Sequence, residues 1–253
     1  MSDFDRNYAA STRGYAPDRA VIDAGLRAHM IRVYNYMAIG VALTGLVAWF
    51  TFQAAATTTA AGGLVLTPLG QTLFNSPLIW VLMLAPLALV FVLSLGINRL
   101  SAPAAQALFF VYAALLGLSL STIFVAFTET SITRVFFISA AAFGGLSLWG
   151  YTTQRDLTGM GSFLIMGLIG IIIASLVNIF LGSSLLQFAI SIIGVLVFTG
   201  LTAYDTQNIK EQYAEGYGHE ANNKMAVFGA LSLYLNFINL FQLLLSLTGQ
   251  REE

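Results

Sequence analysis

Charged side chains in this chain fall in clusters, and between the clusters the sequence is apolar over long distances. Residues 33–98, 100–128, 135–154, 157–204 and 225–250 contain no Asp, Glu, Lys or Arg. Each run reaches or exceeds the roughly 20 residues that a helix needs to cross a bilayer. Breaking the runs at their polar or small-residue stretches predicts seven helices, near 33–53, 78–98, 104–126, 135–153, 161–181, 186–206 and 225–248. The fifth and sixth are separated only by LGSS, which makes them an antiparallel hairpin. Residues 54–77, AAATTTAAGGLVLTPLGQTLFNSP, are too rich in Thr, Gly and Pro for a span. They are expected to form an extracytoplasmic loop with a short amphipathic piece.

The chain therefore reads as an all-α membrane protein, a seven-helix bundle over residues 31–248. Residues 1–30 read as a flexible cytoplasmic tail, free to turn helical from Asp18 onward, and residues 249–253 as a C-terminal tail. Composition agrees: 57% of residues are hydrophobic and 9% charged, where a water-soluble domain carries about a quarter charged. The first 30 residues mix Arg with Asp and lack an apolar core segment, so they do not read as a cleavable secretory signal.

Lys and Arg set the orientation, because they are retained on the cytoplasmic side during insertion. With the N-terminus inside, the inner segments hold Arg6, Arg13, Arg19, Arg27, Arg32, Arg99, Arg155, Lys210 and Lys224, and the outer ones only Arg134 and Arg251. Small residues at helical spacing mark where helices approach closely. One such stripe is Ala113, Gly117 and Ser121; another is Gly167, Gly170, Ala174 and Asn178. Pro86 is expected to kink the second span.

A net charge of −1 gives no electrostatic reason to expect nucleic acid as a partner. The absence of cysteine excludes disulfides, thiolate metal sites and a cysteine nucleophile. Enzyme chemistry finds little else to use. His29 and His219 lie outside the predicted spans, no G-x-S-x-G or H-E-x-x-H occurs, and an aspartyl protease needs two carboxylates where the spans offer one. The chain is not expected to be an enzyme or to carry a bound cofactor.

That one carboxylate is Asp205, at the end of the 48 charge-free residues 157–204. An ionised Asp at the centre of a spanning helix costs roughly 2.5–3.5 kcal/mol on insertion scales, so it persists only with partners, water or a task. At 100° per residue, Ser191, Gly194, Thr202 and Asp205 share an arc of roughly 80° on the sixth helix. On the seventh, Ser232, Asn236, Asn239 and Ser246 share a similar arc, with Gln242 at its border. The two stripes should face each other inside the bundle, as interhelical hydrogen bonds or as the lining of a path. Ser191, Thr202, Ser232 and Asn239 are the pore-lining candidates. Arg99 and Asp205 end at the same cytoplasmic edge and can pair, either as a structural salt bridge or as a latch that opens when Asp205 takes a proton.

Four ordered motifs now carry a resemblance: GLSLSTIF (117–124), GYTTQRDLTGMGSF (150–163), TAYDTQNI (202–209) and LSLYLNFINLF (231–241). Over about residues 20–248 the chain resembles the Bax inhibitor family, in its bacterial YetJ-like and YccA-like branch. The resemblance implies a bundle of six helices around a central seventh, in a bacterial inner membrane, that leaks Ca²⁺ under control of pH. It also implies two aspartates on the last two helices that share a proton, the first of them engaged by an arginine near the end of the second helix. Asp205 matches the first aspartate and Arg99 the arginine. The second is absent, because Asn236 stands in its place. An amide cannot ionise or share an acidic proton, so the pH response is expected to differ from that of a two-aspartate relative.

Two functions follow as expectations. The first is a pH-sensitive Ca²⁺ leak in which Asp205, Arg99 and Asn236 form the gate and Asp205 coordinates Ca²⁺ weakly, since hard cations take oxygen ligands and one carboxylate is few. Its partners are then lipid, Ca²⁺ and protons. The second is a non-conducting protein that modulates a membrane protease complex, which the YccA-like side of the family suggests.

Overall fold

The computed structural model describes residues 19–58, 64–96, 100–213 and 218–251. Among them the elements run α1 (Arg19–Ala55), β1 (Ala56–Thr58), β2 (Leu64–Leu66), α2 (Pro68–Phe74), α3 (Leu78–Gly96), α4 (Ala102–Leu120), α5 (Ile123–Ala126), α6 (Glu129–Thr152), α7 (Thr158–Leu181), α8 (Ser184–Gln212) and α9 (Gly218–Thr248). Six helical stretches are long and apolar enough to cross a membrane: Ala24–Ala55, Ala102–Ala126, Glu129–Thr152, Thr158–Leu181, Ser184–Gln212 and Gly218–Thr248. The protein is an all-α membrane protein. A seventh span is obtained only by counting α2 and Leu78–Leu93, which meet at 58°, as one.

Several boundaries have a local cause. Ser101, Thr128 and Ser183 accept from the backbone N–H groups of Ala104, Ser131 and Leu186, capping α4, α6 and α8. The α7–α8 hairpin closes through Gly182, whose φ of 59° is left-handed, while the Asn178 side chain accepts from the Ser183 N–H. The 54–77 stretch holds the antiparallel pair β1–β2, registered Ala56 on Leu66, followed by α2. Helix α1 begins well before residue 33. Residues 19–30 are its first turns, and Leu26 and Met30 already pack on the core.

The core is built around α9. Of an 18-residue apolar stretch of α9, 56% is buried, against 11% for such a stretch of α7. It packs on α8, α1, α6 and α4, and Leu233, Tyr234 and Leu240 on it are almost wholly enclosed. The α4 stripe behaves as a contact face: Ala113, Gly117 and Ser121 are buried, and a Cβ on Gly117 would lie 2.7 Å from the Thr44 carbonyl oxygen of α1. The α7 stripe does so only in part. Gly167 meets Val197 of α8, whereas a Cβ on Gly170 would meet nothing within 4 Å, because that face of α7 turns outward. Large exposed apolar side chains such as Ile172, Ile179 and Phe180 cover the outside of α7, as a lipid-facing helix requires.

Candidate functional site in the α7–α8–α9 cavity

Helix α8 continues seven residues past Asp205, to Gln212. The apolar run ends at Asp205 but the helix does not, and this places the carboxylate within a helix that packs along α9. Ser232 Oγ donates to Asp205 Oδ2 at 2.6 Å, and Asn236 Nδ2 donates to the same oxygen at 2.7 Å. The two donors are four residues apart, hence neighbours on one face of α9. Among the described residues no hydrogen bond reaches Oδ1. Charge-assisted bonds of this length are about twice as strong as neutral ones.

Asp205 lies on the wall of a cavity of about 660 Å³ between α7, α8 and α9, to which α3 adds Leu87. Its polar lining includes Gln187, Asp205, Ser232, Asn236 and Asn239; the rest is mainly Leu and Ile. Gln187 and Asp205 are 18 residues apart on one helix, about 27 Å at helical rise, so the cavity follows α8 over most of a bilayer's hydrocarbon depth of about 30 Å. No cluster of three or more His, Asp or Glu suited to a metal ion occurs among the described residues. The wall offers one carboxylate with amide and hydroxyl oxygens.

The sequence-predicted residues divide. Asp205, Ser232, Asn236 and Asn239 come together on the cavity wall. Ser191 and Thr202 do not line it. Both are fully enclosed, and their hydroxyls donate to the carbonyls of Gln187 and Phe198 one turn back on α8. The reason is rotational: Ser191 and Thr202 stand about 40–60° around the helix from Asp205. Ser191 instead reaches Ser246 of α9 at 3.4 Å, so the stripes do meet, as packing. Arg99 lies outside the described residues, and with it the predicted Arg99–Asp205 pair.

Further polar contacts tie these helices together away from the cavity. Gln207 is buried, accepts from the Leu157 N–H and donates to the Arg155 carbonyl, both at 2.8 Å, clasping the α6–α7 turn to α8. In that turn Asp156 accepts from the Thr158 N–H at 2.8 Å, and the bonds from Thr158 hold its carboxyl below the usual carboxylate range. Thr206 shares a hydrogen bond with Ser147, which shares another with Tyr34, linking α8, α6 and α1. On the far side of α9 the Tyr234 hydroxyl bonds Thr44 Oγ1 at 2.6 Å, and Thr44 reaches the Ala113 carbonyl at 2.8 Å. Gln207 in TAYDTQNI had the only visible signal, an amide two residues beyond the one intramembrane acid.

A family profile described as "Inhibitor of apoptosis-promoting Bax1" matches residues 26–253. The chain belongs to the Bax inhibitor family. Among family relatives, a Caulobacter vibrioides protein is 46% identical over 255 residues, covering 100% of both chains. "Inner membrane protein YbhL" of Escherichia coli K12 is 46% identical over 231 residues, 90% of this chain and 94% of that one. A membrane protein of Streptococcus pyogenes serotype M3 is 38% identical over 235 residues, 91% and 96% of the two chains. Membership of the Bax inhibitor family agrees with a polytopic membrane protein of the channel or modulator kind, and the YbhL match with a bacterial inner membrane.

Proposed function

We propose that this protein is a pH-sensitive Ca²⁺ leak whose path is the α7–α8–α9 cavity and whose gate is the Asp205 carboxylate. The observation that carries this reading is the convergence of Ser232 and Asn236 on Asp205 Oδ2 at the wall of that cavity. Ionised, Asp205 holds α8 to α9 through two charge-assisted bonds and presents a negative charge to a cation. A proton on the carboxylate removes both the charge and the strength of those bonds, and the helices are freed to move apart. Arg99 serves as a further latch on the carboxylate. In the open state Asp205 offers Ca²⁺ only a neutral carboxyl oxygen beside amide and hydroxyl oxygens, which coordinate it weakly and transiently and suit conduction rather than storage. The bundle counts as seven helices, with the bent α2–α3 pair as the second and α9 at the centre, and its N-terminus faces the cytoplasm by the excess of Lys and Arg there.

Asn236 favours a second reading, a non-conducting modulator of a membrane protease, because it removes the second carboxylate of the family's pattern. Sealed vesicles holding the purified protein separate the two. Ca²⁺ entry that rises on acidification supports the leak, and absence of Ca²⁺ entry at every pH from about 5 to 8 supports the modulator.

A further inference from the structure

A second large cavity lies on the other side of α9, between α1 and α6, and the proposed function does not use it. Its volume is about 730 Å³, and it reaches inward to Phe237 of the central helix. Along α1 it runs from Arg27 to Ala42 and along α6 from Tyr151 to Phe136, 15 residues on each, or about 22 Å. That length is one half of a bilayer with its headgroup region, whose full thickness is about 40–45 Å. The walls are apolar except at one end. There Arg27 is exposed, the Tyr34 and Ser147 hydroxyls meet at 2.7 Å, and Lys210 Nζ donates to the Tyr151 carbonyl while standing over the Tyr151 ring.

We propose that this groove is a binding site for one phospholipid of the surrounding bilayer, with an acyl chain along α1 and α6 and the phosphate against Arg27. Three features choose this occupant. A groove open between two membrane helices is filled by lipid unless protein fills it. The cationic end sits where the headgroup of a chain of this length would lie, and a guanidinium presents the forked donors that a phosphate accepts. The rest of the lining is apolar, with Met30, Ile31, Met37 and Val41 on α1 and Phe143 and Leu148 on α6, as an acyl chain requires. Gly144 on the wall explains how the groove stays open: a Cβ there would meet nothing within 4 Å, so the missing side chain is not required for packing.

Adjacent glycines supply a matched test. A Cβ on Gly145 also meets nothing within 4 Å, but Gly145 does not line the groove. Parent protein, Gly144→Phe, Gly145→Phe and Arg27→Gln are each reconstituted in bilayers of phosphatidylethanolamine and phosphatidylglycerol. They are then released into mild detergent and weighed intact by native mass spectrometry. The parent and Gly145→Phe should each retain one phospholipid; Gly144→Phe should lose it and Arg27→Gln retain it less, by about tenfold, equivalent to about 1.4 kcal/mol of binding. Retention by Gly144→Phe equal to that of Gly145→Phe would overturn the site, as would a parent protein that holds no lipid or holds a polypeptide there. Undiminished retention in Arg27→Gln would overturn the headgroup assignment.

Discussion

Asn236 on α9 donates to Asp205 on α8 across 2.7 Å, at the position where the resemblance read from the sequence implies a second carboxylate. An amide thus stands within hydrogen-bonding distance of a carboxylate, close enough that a second carboxylate there would interact with it directly. Asn236→Asp restores the pair, and two carboxylates at this separation cannot both ionise freely. The midpoint of acid-activated Ca²⁺ flux should then move to higher pH by about one unit or more. An unchanged profile in proteoliposomes would show that Asn236 plays no part in the pH response.

Removing the donor instead of charging it has a different signature. Asn236→Leu leaves the carboxylate with Ser232 alone in a wall otherwise mainly of Leu and Ile, and a bond to a charged group is worth about 1.5–3 kcal/mol. The variant should melt earlier in detergent, and the loss should shrink in an Asp205→Asn background, where no charge is left to satisfy. Equal losses in both backgrounds would mean that the Asn236–Asp205 bond contributes nothing.

Gln207 anchors the α6–α7 turn through Leu157 and Arg155. Gln207→Ala deletes both bonds and leaves the Leu157 N–H, on a buried residue, without a partner, at a cost of about 1–3 kcal/mol. Arg155 is exposed in that turn, so limited tryptic cleavage after Arg155 should quicken several-fold in the variant while the spans stay protected. The turn also carries a pH signature. Folding lowers the Asp156 carboxyl below its ordinary value, so its contribution is fully present above that ordinary value and is lost as pH falls through the lower folded value. The difference in melting between the parent and Asp156→Ala should therefore be constant near neutrality and vanish at strongly acidic pH.

Six spans were legible because hydropathy alone defines them, and the facing of α8 and α9 because an unpaired Asn amide is costly against lipid. Two things were not legible. The first is whether α8 continues past residue 206 through TQNIKEQY, which the sequence leaves open; a helix that leaves the bilayer continues as long as a neighbour packs against it, and here α9 does, with Gly229 against Ile209. The second is the difference between Thr202 and Asp205, which share a polar arc yet face different neighbours. An arc of 80° names a side of a helix but cannot separate a sealed contact from a cavity wall. The buried bonds of Gln207 and Tyr234 depend on residues 50 and 190 positions away, and no local pattern encodes them.

The absence of native cysteine makes the proposed helix motion directly accessible. A Cβ on Gly229 would lie 3.1 Å from Cγ1 and Cγ2 of Ile209, close enough for a disulfide after Ile209→Cys and Gly229→Cys. Oxidation should tie α8 to α9 and suppress acid-activated flux, and reduction should restore it. Flux that is indifferent to the cross-link would rule out separation of these helices as the opening step.

The most direct measurement is Ca²⁺ flux against pH in proteoliposomes, with the parent protein and Asp205→Ala side by side. The account predicts flux in the parent that rises as pH falls, and flux in Asp205→Ala that no longer responds to pH. A parent flux independent of pH, or an Asp205→Ala profile that follows the parent's, would contradict it.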